Sequence, residues 1–73
     1  MELNYRIYIV FNDEKEVERH YETEDDAIRV MMQLVASPMV YSAILAHYSD
    51  KYPAGYDVIC SIRNKSNLRG RKP

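Results

Sequence analysis

Tryptophan is absent from this 73-residue chain, phenylalanine and cysteine occur once each, and glycine only twice. Each scarcity removes a class of protein. A lone Cys60 excludes the disulfide framework that staples many small domains. His20, His47 and Cys60 stand far apart, with none of the short paired spacings of a structural zinc site. Gly55 and Gly70 cannot build a glycine-rich loop around a phosphate. The opening Met1-Glu2-Leu3-Asn4 has no basic segment leading into an apolar one, so no signal peptide is expected. No catalytic, cofactor-binding or metal-ligating residue is assigned, no small-molecule substrate is expected, and the chain is expected not to be an enzyme.

Charge is also missing where it would normally be found. Not one charged residue interrupts Val30 to Ala46. That run is too short for a membrane span and is broken by Ser37-Pro38. A soluble, cytoplasmic protein is expected. A chain of this size buries only about 60% of the surface its unfolded form exposes, so its stability margin is thin. With disulfides and metals set aside, a partner subunit is the expected source of extra burial.

What is present is organised by period. Tyr5, Ile7, Ile9 and Phe11 alternate with Arg6, Tyr8 and Val10, the two-residue repeat of a strand. Asn12-Asp13-Glu14-Lys15 has turn composition. Glu16 to Glu22 alternates again, with Val17, Arg19 and Tyr21 opposite Glu16, Glu18, His20 and Glu22. The two runs predict a β-hairpin whose second strand turns a charged row to water.

Thr23 followed by Glu24, Asp25 and Asp26 predicts a helix start. The hydroxyl can accept a free N–H of the first turn, and the acids sit at the positive end of the helix dipole. This helix is expected to reach Ala36. Ser37-Pro38 is then read as a second start, with a helix from Pro38 to about Ser49, or as a kink in one long helix. Asp50 to Gly55 supplies turn residues, and Tyr56 to Arg63 a third strand.

The expected fold is α+β in the order β-β-α-α-β: a three-stranded, mainly antiparallel sheet with a bent or broken helix on one face. The first strand is expected at its centre, beside the third. Residues 1–63 form the domain, and residues 64–73 a basic tail, expected to be disordered.

Apolar positions spread around more of the two expected helices than one sheet can cover. A homodimer is therefore expected, with Met31, Met32, Val35, Met39 and Ile44 at its interface. Recognition of another protein is assigned to the acidic hairpin and helix start, through Glu16, Glu18, Glu22 and Asp25, and to a basic patch at Arg69 and Arg71. The expected function is a non-enzymatic inhibitor or adaptor acting on a larger protein, one that handles DNA being a natural target of an acidic array. Small phage-encoded and regulatory proteins share this profile. The alternative is a small nucleic-acid-binding regulator acting through the basic tail. His20 is read as a solvated cross-strand residue, His47 as a residue near a helix end, and Cys60 as a core thiol.

Overall fold

The computed structural model describes residues 3–63. Its elements are β1 (Tyr5–Phe11), β2 (Glu16–Tyr21), α1 (Glu24–Val35), β3 (Val40–Tyr48) and β4 (Tyr56–Arg63). The strands form one antiparallel sheet in the order β2-β1-β3-β4, and α1 lies across one face of it. The architecture is α+β, as expected, but with four strands and one helix.

The hairpin forms where the alternation predicts it. In the turn, the Asp13 carboxylate accepts from the Lys15 N–H at 3.1 Å, and the Glu14 N–H donates to the Phe11 carbonyl at 2.9 Å. Glu14 takes a φ of 75°, a left-handed conformation uncommon for a residue with a Cβ. Asn12 ties this turn to the segment entering β3: its side-chain amide donates to the Pro38 carbonyl at 2.8 Å, and its backbone N–H to the Met39 carbonyl at 2.9 Å.

Helix α1 begins as the cap signal requires. The Thr23 hydroxyl accepts from the Asp26 N–H at 3.2 Å, and Glu24, Asp25 and Asp26 fill the first turn. Ala27 and Met31 face the sheet and are buried, flanked by the partly buried Ile28, Val30 and Leu34.

The expected second helix is not there. Residues 40–48 are the strand β3, which lies between β1 and β4. Tyr56–Arg63 accordingly pairs with β3 and not with the first strand. The cause is visible in the side chains. Val40, Tyr41, Ile44 and Tyr48 are β-branched or aromatic, the residue types that fit a pleated surface. A central strand with apolar groups on both faces loses its polar alternation and mimics a helix in sequence. Pro38 ends α1 where it was read as starting another helix: Ala36 caps α1 through N–H bonds to Gln33 and Leu34, and the proline follows two residues later.

The core lies between α1 and the sheet. Across it run the paired rows Arg19–Ile7–Leu45–Cys60 and Val17–Ile9–Ala43–Ile62. Ile7, Leu45 and Val40 are the largest fully buried side chains. Two irregularities bend the sheet. β3 gains a residue at Tyr41, where the register shifts between Val10 and Phe11. β4 gains one at Ile59, where Leu45 pairs with Cys60 but Ala46 with Val58. A bulge of this kind sharpens local twist. No helix among the described residues is long and apolar enough to cross a membrane.

Candidate interaction surface

No element covers the second face of the sheet among the described residues. Its composition follows from the register. Residues directly opposite each other in antiparallel strands share a face, so the rows there are His20–Arg6–Ala46–Val58, Glu18–Tyr8–Ile44–Ser61 and Glu16–Val10–Ser42–Arg63. Tyr48 and Tyr56 form a fourth pair at one end.

This face divides into two halves. Over β2 and β1 it is charged. Arg6 lies 3.9 Å from Glu18, and His20 Nε2 lies 3.0 Å from the same carboxylate. The Tyr8 hydroxyl donates to the Glu16 carboxylate. That bond, together with partial desolvation and the charges of Glu16 and Glu18, raises the Tyr8 pKa above the ordinary 10.0, because each favours the neutral phenol. Over β3 and β4 it is apolar at the end nearest Tyr48 and Tyr56 and polar at the other, where Ser42, Ser61 and Arg63 lie. Ile44, Ala46, Tyr48, Tyr56 and Val58 line a shallow groove of about 300 Å³ whose charged wall is Arg6 and Glu18. The Tyr48 and Tyr56 rings stack with centroids 5.3 Å apart, and the Arg6 guanidinium carbon lies 4.1 Å from the centre of the Tyr48 ring. That cation–π contact stitches the two halves together. Although Val58 is 48% exposed and Ile44 40%, neither stands alone, and contiguity is what separates an interaction patch from scattered surface leucines or valines.

The residues singled out from sequence fall into four places. Met31 is 4% exposed and belongs to the core under α1. Met32 and Val35 are exposed on the last turns of α1, Met32 at 66%, and Met39 is exposed in the connection to β3. Ile44 is on the opposite side, in the open-face groove. Glu16 and Glu18 edge that same face on β2, while Glu22 and Asp25 are exposed between β2 and the first turn of α1. Arg69 and Arg71, with the rest of the basic tail, lie outside the described residues. The structure thus joins Ile44 to Glu16 and Glu18, and separates them from the methionines.

Three of the groove residues, Ala46, Tyr48 and Ile44, were placed on a helix by sequence reasoning, so the face itself was missed. The signal available is residue type, not period: Val40, Tyr41, Ile44 and Tyr48 are β-branched or aromatic, which favours a strand over a helix.

The histidines and the thiol are accounted for by their contacts. His20 is the solvated residue expected on β2. His47 is on a strand, not near a helix end: its Nδ1 lies 2.9 Å from the Tyr52 hydroxyl, and the Tyr5 ring stacks on it at 4.4 Å. Cys60 packs against the core; burial, and next the charge of Glu24, push its thiol pKa up, away from the thiolate a nucleophile needs. Among the described residues no group of three or more His, Cys, Asp or Glu is placed to hold a metal ion. Comparison of the chain with protein families, with curated proteins and with solved structures finds no match.

Proposed function

We propose that this protein is a non-catalytic protein-interaction module, a homodimeric inhibitor or adaptor, and that it docks its target on the open face of the sheet. The observation that supports this reading is the division of that face: a groove of Ile44, Ala46, Tyr48, Tyr56 and Val58 beside a rim of Glu16, Glu18 and Arg6. An apolar centre with a charged border is the anatomy of a specific protein interface. The aromatic and arginine members are the residue types that carry most binding energy in such interfaces. The chemistry fits a target with an apolar ridge flanked by basic groups, as a protein that handles DNA would offer. Glu16 and Glu18 would meet the bases while Tyr56 and Val58 bury the ridge.

The test is capture from a lysate of the native cell with three baits. The wild-type chain and Met32→Glu should retain the same target, and Ile44→Glu should lose it. Loss with Met32→Glu and retention with Ile44→Glu would move the site to the end of α1. Binding that instead followed a salt-sensitive nucleic acid would favour the alternative regulator.

A further inference from the structure

The two edges of the sheet are built differently. β2 carries Glu16, Glu18, Arg19 and His20 in six residues, and charge of that density discourages a second strand from pairing. β4 is longer, at eight residues, and runs Val58-Ile59-Cys60-Ser61-Ile62 without a charge between Asp57 and Arg63. Its outer side is unpaired among the described residues.

The bulge gives β4 an unusual property. Tyr56 and Val58 point to the open face, where Val58 pairs with Ala46 and Tyr56 with Tyr48. Asp57, opposite His47, points the other way, and Ile59 and Cys60 both pack on the core. After the bulge, Ser61 and Arg63 are on the open face and Ile62 on the core side. Reading from either end, the faces therefore run open, core, open, core to the midpoint between Ile59 and Cys60. The strand is a palindrome of faces.

From this we infer that two copies pair antiparallel through β4, about a two-fold axis between Ile59 and Cys60. The inference rests on the homodimer reading above and gives it a geometry. An antiparallel pair needs opposed residues on one face, and this register satisfies that at every position: Tyr56 with the second copy's Arg63, Asp57 with its Ile62, Val58 with its Ser61, Ile59 with its Cys60. A slip by one residue breaks the match at every pair except a central residue facing its own copy. The open face distinguishes this from stacking two sheets face to face. Stacking about an axis along the middle of the sheet would set Arg6, Glu18 and His20 of one copy against the apolar half of the other, burying charges without partners. Edge pairing instead sets the two β3–β4 halves side by side in an eight-stranded sheet, with Tyr56 and Val58 of each copy beside Arg63 and Ser61 of the other. The charged halves then lie at its outer margins, and the groove stays open to a target.

Light scattering and sedimentation on the purified chain test this. The wild-type chain should be a dimer. Tyr56→Lys places a cation opposite Arg63 twice per dimer and should weaken self-association by roughly tenfold. Adding Arg63→Glu to Tyr56→Lys should restore it. Residues 56 and 63 are at opposite ends of one strand, so that rescue can act only between copies. Circular dichroism confirms that each variant keeps its fold. A wild-type monomer throughout the micromolar range would overturn both the edge pairing and the homodimer. A dimer indifferent to Tyr56→Lys, or one that the second substitution fails to rescue, would overturn the edge pairing alone.

Discussion

Ile44 and Leu45 are neighbours on β3, both branched and apolar, yet they have opposite lives. Leu45 is 0% exposed beneath α1, in the row Arg19–Ile7–Leu45–Cys60. Ile44 points to the bare side, with Tyr8 and Ser61 as its row neighbours. The contrast teaches that this sheet has one side committed to holding the chain together and another whose apolar surface the fold does not use. Similar side chains thus carry stability on one face and stay partly exposed on the other.

The sharpest way to break that contrast is to truncate both residues. Leu45→Ala should cost about 2–5 kcal/mol, the usual range for a fully enclosed leucine. Ile44→Ala should cost less, about 1–2 kcal/mol, because two-fifths of the residue is already in water. Denaturant titrations of the two variants, side by side, measure the gap. Equal losses would mean that the open face is as structural as the closed one.

A smaller effect should follow from loosening the cover of the closed face. Thr23→Ala removes the hydroxyl that accepts the Asp26 N–H, and should destabilise the fold by about 1 kcal/mol. Thr23→Asp, which keeps an acceptor, should recover most of it. Thermal unfolding followed by circular dichroism distinguishes these.

The least effect belongs to the charged half of the open face. The Tyr8 phenol has its pKa raised, first by its hydrogen bond to Glu16. The folded state therefore favours the neutral form. Any stabilisation from that bond is complete below the ordinary tyrosine pKa and is lost as pH climbs through the raised value. Titration of phenolate absorbance should show Tyr8 ionising above the ordinary tyrosine value, and Glu16→Gln should bring it back toward that value without unfolding the protein.

The parts of the fold legible in the chain are those with one polar side. The hairpin and α1 each alternate or spiral between apolar and charged residues, so period and face could be read together. Thr23 with its three following acids marked the helix start to the residue. β3 was illegible for the opposite reason. Both of its faces are apolar, and the contrast that reveals a strand vanished within the run from Val30 to Ala46. The open face inherited that failure. Glu16 and Glu18 were recognised because they sit on β2, whereas the apolar half opposite them depends on knowing that residues 40–48 form a strand. Met31 and Met32 show a related limit: adjacent methionines with the same composition, separated into core and surface by 100° of helical turn.

The register has a consequence for time as well as for shape. β1 with β2, and β3 with β4, are joined by short turns and can zip locally. β1 and β3, the two strands at the centre, meet only after the hairpin partner and the whole of α1 have been looped between them. Closing such a loop loses chain entropy before any contact repays it. The topology therefore predicts that the pairing of β1 with β3 along the Ile7–Leu45 row limits the folding rate, so that Ile7→Val should slow refolding more than a substitution confined to the β1–β2 turn.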